Sequence, residues 1–198
     1  MNTSKERRAL IAGMIGCFLY VIGDFLFAAI GKSQSADSIG LMVKVAYLDM
    51  ATWRMVVSII CGVLGTALYY IGFHQMWKLL RQHCTESKQQ KWVKVFRVAY
   101  LTGTVCWGYV HAMFMNVALI FKFTFEKYGD IQAAAAIANK VFYCNAAPML
   151  AAYLLCDVLL SLVMLVLIWK RMLPLKTTIH RILASLCNPI AFAGIVGN

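Results

Sequence analysis

Residues 10–30, which read LIAGMIGCFLYVIGDFLFAAI, decide the fold class of this chain. The only charged side chain in these 21 residues is Asp24. At ~1.5 Å of rise per residue, a helix of this length crosses the ~30 Å hydrocarbon core of a bilayer. Lys5, Arg7 and Arg8 precede it, as in a signal peptide, but the apolar run exceeds the about 7–15 residues of such a leader. We therefore expect residues 10–30 to stay in the membrane.

The whole chain has the composition of a membrane protein. Of its 198 residues, 62% are hydrophobic and 14% are charged, whereas a soluble domain has roughly 45–50% and about 25%. The pattern predicts an all-α bundle in one membrane domain, residues 1–198, with five spans at about 10–30, 55–77, 98–121, 148–169 and 179–198. The fifth span is short and contains Asn188-Pro189, and the abrupt end behind it is typical of a truncated gene product.

The distribution of basic residues predicts the orientation. The net charge of +11 comes from Lys and Arg in short loops, with no basic run interleaved with aromatic residues, so nucleic acid is not an expected partner. With five spans, 13 of these cations fall on the side of the N-terminus and 6 on the other. By the positive-inside rule the N-terminus is cytoplasmic, the C-terminus is outside, and the partner is the lipid bilayer of a bacterial cytoplasmic membrane.

Two predicted outer loops, 32–54 and 122–147, are longer than simple hairpins. The alanine-rich residues 133–138 in the second loop predict a short helix on or near the outer surface. Small residues on one face of each of the first two spans predict close packing of those helices. They are Ala12, Gly16 and Gly23 on the first span and Ser58, Gly62, Gly65 and Gly72 on the second.

Four ionisable residues in or beside the spans need an explanation: Asp24, Arg54, His111 and Asp157. A charge near the bilayer centre costs roughly 2.5–3.5 kcal/mol even on the lenient insertion scale, so each should face protein or water. Counting residues along the spans places Asp24, His111 and Asp157 ~9, ~10 and ~14 Å below the outer edge. Arg54 starts the second span at that edge. We expect one outward-facing polar site, with Asp24 and Arg54 as an ion pair.

These residues leave three functions open. The first is binding or transport of a small molecule or ion, and the second is a lipid-directed intramembrane hydrolase that uses His111 and Asp157 as acid and base. The third is a structural or assembly subunit, in which the same groups only join helices. No local ligand spacing supports a metal among Asp24, His111 and Asp157, and the seven cysteines contain no C-x-x-C pair, so we expect neither metal nor cofactor.

Several of these positions recur in a family pattern. Gly23-Asp24, Arg54, the run Tyr69-Tyr70-Ile71-Gly72-Phe73 and His111 together resemble an uncharacterised family of bacterial polytopic membrane proteins, a domain of unknown function. The resemblance covers most of the chain and rests on scattered single residues. It implies a bundle in a longer protein with more spans, and it marks Asp24, Arg54 and His111 for testing. It implies no activity.

Overall fold

The computed structural model describes residues 3–29, 38–39 and 43–173, and these are mostly helical. A long helix α1 (Thr3–Ala28) is followed by a small antiparallel hairpin and one helical turn, and then by two longer helices that cross the bundle again. The elements after α1 are β1 (Ser38–Ile39), β2 (Val43–Lys44), α2 (Ala46–Asp49), α3 (Thr52–His83), α4 (Ser87–Tyr128), α5 (Ile131–Tyr153), a π-helical segment (Leu154–Leu159) and α6 (Leu160–Trp169).

The predicted all-α class is confirmed. Within the described residues, three helices are long and apolar enough to cross a membrane: Ser4–Ala28, Thr52–His83 and Ser87–Tyr128. They coincide with the first three predicted spans, although the first helix ends at Ala28, two residues before the predicted end of its span. The fourth predicted span, 148–169, falls on the end of α5, the π-helical segment and the apolar helix α6. The fifth, 179–198, lies outside the described residues.

The predicted outer loop 122–147 is wrong. α4 continues to Tyr128 and ends at Gly129, whose φ of 70° is the left-handed conformation that glycine adopts most readily. Asp130 then caps α5, since its side chain accepts the backbone N–H groups of Gln132 and Ala133 at 2.9 and 3.1 Å. The alanine-rich residues 133–138 are helical, but they form part of α5 instead of a separate surface helix.

The close packing predicted for the first two spans is confirmed. α1 and α3 lie antiparallel, and an added Cβ on Gly16 would sit 2.8 Å from the carbonyl oxygen of Gly65. The helices approach more closely still at Gly72, because a Cβ added there would lie 2.6 Å from the Cα of Gly13. Gly13 was not among the predicted contact residues, and it takes the place that the pattern gave to Ala12. The two backbones therefore touch along much of their length.

The end of the bundle away from the N-terminus of α1 carries a small cap formed by the hairpin and α2. Val43, Tyr47 and Met50 of the cap are buried against Phe121 on α4 and the alanines of α5. Lys122 is also buried here, where its ammonium donates to the carbonyl oxygen of Leu48 at 2.5 Å. Lys122, which the sequence prediction placed in an outer loop, thus holds the cap onto α4. Its Nζ also lies 3.5 Å from Oε1 of Glu126.

The opposite end of the bundle is strongly basic. Here the guanidinium groups of Arg81 and Arg97 lie over the ring of Trp77, at 5.7 and 4.9 Å from its centroid, and Lys170 lies over Trp92 at 5.2 Å. Because α1 is antiparallel to α3, the N-terminal cations are at this end too. Eleven cations of the described residues are found here with two acids, Glu6 and Glu86. The cations are Lys5, Arg7, Arg8, Lys78, Arg81, Lys88, Lys91, Lys94, Arg97, Lys170 and Arg171.

Candidate functional site

Asp24 on α1 and His111 on α4 lie within ion-pairing distance of each other across the bundle. Oδ1 of Asp24 lies 3.3 Å from Nδ1 of His111. The two ends of the pair have very different surroundings, because the His111 side chain is 8% exposed and the Asp24 side chain 66% exposed. A buried imidazole is therefore joined to a carboxylate at the surface of the bundle.

Glycine on α3 makes room for the imidazole. A Cβ added to Gly62 would overlap Cδ2 of His111, and one added to Gly23 would lie 3.4 Å from Nε2. With no side chain at either position, α4 can place the ring between α1 and α3 at the level of Asp24. The same small residues that let the helices pack closely thus bring together two polar residues that lie far apart in sequence.

The other ring nitrogen of His111 is also engaged. Nε2 lies 2.9 Å from the backbone carbonyl oxygen of Ser58 and 3.3 Å from the Ser58 hydroxyl. That hydroxyl is fully buried and donates its hydrogen to the carbonyl oxygen of Gly23 at 2.8 Å. Ser58 therefore fixes the orientation of the imidazole and joins α1 to α3 in the same contact.

Arg54 does not pair with Asp24, so that prediction is wrong for these two described residues. Its guanidinium donates through Nε to the carbonyl oxygen of Leu26 at 2.9 Å and through Nη2 to that of Ala29 at 2.6 Å. These carbonyls are at the C-terminal end of α1, and the last four carbonyls of a helix have no N–H partner within the helix. A cation there also interacts favourably with the helix dipole. Arg54 thus caps α1, and the carboxylate of Asp24 is left to His111.

Asp157 belongs to the π-helical segment Leu154–Leu159, and its side chain lies outside the described part of the structure. Ser161, four residues after Asp157, is buried on α6. Whether the fourth span contributes to the site therefore stays a prediction.

Aromatic rings of all three long helices pack around the buried side of the site. The Tyr20 ring meets His111 edge-on at 5.5 Å and Trp107 at 5.2 Å between centroids, and Trp107 meets Tyr69 at 4.9 Å. The Tyr20 hydroxyl is hydrogen-bonded to Thr66. Trp107 lies four residues before His111 and therefore on the same face of α4. Tyr20 was missed, although its position four residues before Asp24 puts it on the same face of α1.

The site offers few ligands to a metal. Among residues 3–29, 38–39 and 43–173, no group of three His, Cys, Asp or Glu side chains is arranged to hold an ion. Asp24 and His111 supply two such ligands, and both ring nitrogens of His111 already face oxygen atoms.

Comparison with known proteins gives a family and no activity. A family model described as a family of unknown function, DUF6796, matches residues 1–198. The chain belongs to DUF6796. No curated protein and no solved structure matches it. For this DUF6796 member, function must be inferred from the site itself.

Proposed function

We propose that this DUF6796 member is a multi-pass protein of the bacterial cytoplasmic membrane that binds or transports a small molecule or ion through a polar site in the outer half of the membrane. The Asp24–His111 pair is the observation that carries the proposal. An ionisable pair inside a membrane is costly to keep, so it indicates a functional site with a defined partner. The 66% exposure of the Asp24 side chain leaves its carboxylate free to meet a ligand.

The charge distribution supports the proposed orientation, with the N-terminus in the cytoplasm and five spans. The basic end of the bundle carries aromatic–cation contacts, such as Trp77 with Arg97, that suit the inner membrane interface and its anionic head groups. Asp24 lies toward the opposite end. In this orientation the pair belongs to the outer half of the membrane.

The surroundings of Asp24 favour a ligand site over helix joining alone. Its neighbours Val21 and Phe25 are 64% and 70% exposed, which is typical of a face turned toward lipid. A residue that served only to bind His111 would be more stable inside the helix interface. Asp24 also lies four residues, or ~6 Å, before the end of α1, so its carboxylate is close enough to the proposed outer interface to meet water and a ligand there.

The hydrolase alternative has weaker support from the geometry. Asp24, His111 and Ser58 follow one another in the order of a nucleophilic triad. However, the Ser58 hydroxyl is fully buried and donates to the carbonyl oxygen of Gly23, so a lipid carbonyl has no path to it. We therefore retain binding or transport as the proposed function.

The proposal is tested by asking whether water reaches Asp24 from outside the cell. In a variant without its native cysteines, Asp24→Cys is expected to react with a membrane-impermeant maleimide added to intact cells. Phe25→Cys is the matched control, since it lies next to Asp24 on the lipid-facing side, and it is expected to stay unlabelled. Absence of labelling at position 24, or labelling only after the cells are opened, would overturn the proposal.

Transport itself gives a second readout in proteoliposomes. Any solute flux that the wild-type protein supports is expected to disappear in Asp24→Asn and to persist in Asp49→Asn, which changes an exposed carboxylate on α2 away from the pair. Flux that survives in a folded Asp24→Asn protein would contradict the assignment of the site.

A further inference from the structure

His111 has an acceptor in front of each of its ring nitrogens. Nδ1 faces Oδ1 of Asp24 at 3.3 Å, and Nε2 faces the carbonyl oxygen of Ser58 at 2.9 Å. The nearby Ser58 hydroxyl gives its hydrogen to Gly23 and so has none to offer the ring. A neutral imidazole carries only one N–H. Here each of the two contacts, Nδ1 with Asp24 and Nε2 with Ser58, needs a hydrogen between its two atoms.

A backbone carbonyl never donates, so the hydrogen at Nε2 belongs to the imidazole. The contact between Nδ1 and Asp24 then needs a second hydrogen, which either group can carry. In one arrangement an imidazolium faces a carboxylate. In the other a neutral imidazole accepts from a carboxylic acid. Both arrangements hold one proton between the two groups and have a net charge of zero.

We propose that the ion bound by this site is a proton, held between His111 and Asp24 and exchanged with water on the outer side of the membrane. This inference rests on the proposed function and names its ligand. It makes the protein a proton-binding and proton-coupled membrane protein, in which occupation of the site by a proton is the step to which any solute movement is linked.

The exposed carboxylate is the exit route for the proton. The proton passes from Nδ1 to a carboxylate oxygen of Asp24, and from the resulting carboxylic acid to an external water molecule, which becomes hydronium. Afterwards the Nδ1 lone pair faces an anionic oxygen in apolar surroundings, and the site carries a charge of minus one. Repulsion then drives the carboxylate away from the ring, so loss of the proton is coupled to a movement of the α1–α4 contact.

The other titratable or charged groups packed around the pair do not replace this proton. Tyr20 on α1 meets the ring of His111 with its edge and is bonded through its hydroxyl to Thr66. On α3, Cys61 lies beside Gly23, and Arg54 is held by the carbonyls of Leu26 and Ala29. The cation nearest in sequence to Ser58 is therefore already committed to the end of α1.

Proton counting on the purified full-length protein tests the proposal. The pH of a weakly buffered detergent solution is raised from about 6 to about 9, and the released protons are counted with an indicator dye. Wild type is expected to release about one proton per chain more than Asp24→Asn. In the variant the asparagine amide can donate to Nδ1, so the neutral imidazole needs no extra proton. The chain has three other histidines. They release the same number of protons in both proteins, so they do not contribute to the difference between wild type and Asp24→Asn.

Asp49→Asn is the matched control and is expected to release as many protons as wild type. The stability of the protein gives a second readout. Wild type is expected to lose free energy of unfolding as the pH rises over this range, because the folded pair gives up its proton, while Asp24→Asn is expected to show no such loss. Equal proton release by wild type and a folded Asp24→Asn protein would overturn the proposal.

If Asp24→Asn does not fold, nuclear magnetic resonance of the wild-type protein decides the question. In protein labelled at histidine nitrogen and aspartate carboxyl carbon, a proton on either Nδ1 or the Asp24 carboxyl at about pH 7 supports the proposal. A bare Nδ1 together with an ionised carboxylate refutes it. Accessibility of Asp24 to the external maleimide is independent of this result, so the binding site can stand even if its ion is not a proton.

Discussion

At the residue scale, depth along the spans placed Asp24 and His111 at one level, but it did not identify the partner of each ionisable group. Asp24 and His111 were expected at similar depths and are in contact. Arg54 was expected to pair with Asp24, because the two spans are joined on that side. Instead it binds the carbonyls of Leu26 and Ala29. Depth follows from residue number, whereas the choice of partner depends on the rotation of each helix about its axis.

This difference predicts two distinct double-mutant cycles. In the first, Asp24→Ala and His111→Gln are expected to be coupled by ~0.5–3 kcal/mol in the free energy of unfolding, since the two residues are in contact. In the second, Asp24→Ala and Arg54→Gln should be additive within ~0.5 kcal/mol, because they share no partner. Reversible unfolding in mixed detergent measures both cycles.

Arg54→Gln alone is expected to cost about 1.5–3 kcal/mol, the usual contribution of hydrogen bonds to a charged group. A coupling between Asp24 and Arg54 larger than that between Asp24 and His111 would show that the original pairing was correct. Arg54→Lys is a useful companion variant, since it keeps the charge but cannot reproduce the two-pronged contact with Leu26 and Ala29.

At the element scale, the contact between α1 and α3 is set by glycine. In a membrane, helices gain little from apolar burial against each other, so close packing and hydrogen bonding must hold them together. At Gly13 and Gly72 the backbones themselves are in contact. Farther along, Cys17 and Tyr69 share a hydrogen bond of 2.8 Å, which depends on the same separation of the helices.

Gly72→Ala is therefore expected to destabilise the protein by ~1–3 kcal/mol, as overpacking does in a closely packed core. Its Cβ would lie 2.6 Å from the Cα of Gly13, and backbone cannot move aside as a side chain can. Gly108→Ala is the matched control, because the nearest atoms to its Cβ would belong to the Thr66 side chain, at 3.2 Å, and not to backbone. The free energy of unfolding of the two variants is compared, and an equal loss would contradict the packing argument.

The error in the outer loop also belongs to the scale of elements. Residues 122–147 carry several charged side chains. These lower the mean hydropathy of the stretch, and a loop was predicted for that reason. The local signals for a tight turn were present, however: glycine at 129, a capping aspartate at 130 and a run of alanines behind it. The charges are accommodated because the helices continue past the predicted end of the third span, and Lys122 finds partners in Leu48 and Glu126.

At the scale of the whole molecule, the helix connections gather the basic residues at one end. The turn between α3 and α4 lies at this basic end, and the turn between α4 and α5 lies at the other. The positive-inside rule predicts that the first turn is cytoplasmic and that the second is external. Asp24 and His111 then lie in the outer half, as the proposed function requires.

Single cysteines at these two turns test the orientation. In a variant without native cysteines, Lys127→Cys is expected to react with an impermeant maleimide on intact cells. Lys88→Cys is expected to react only after the membrane is opened, with at least a severalfold difference in labelling between the two sites. The reversed pattern would place the Asp24–His111 pair in the inner half and remove the basis for exchange with the external medium.

By itself, the sequence determined the all-α class, the positions of three long apolar helices and the faces through which α1 and α3 pack, because length, hydropathy and small-residue spacing are local properties. It also placed Asp24 and His111 at a common level. Only the tertiary structure decided that Asp24 binds His111, that Arg54 caps α1 and that Ser58 orients the imidazole. These contacts depend on helix rotation and on space left by Gly23 and Gly62, which no single segment specifies.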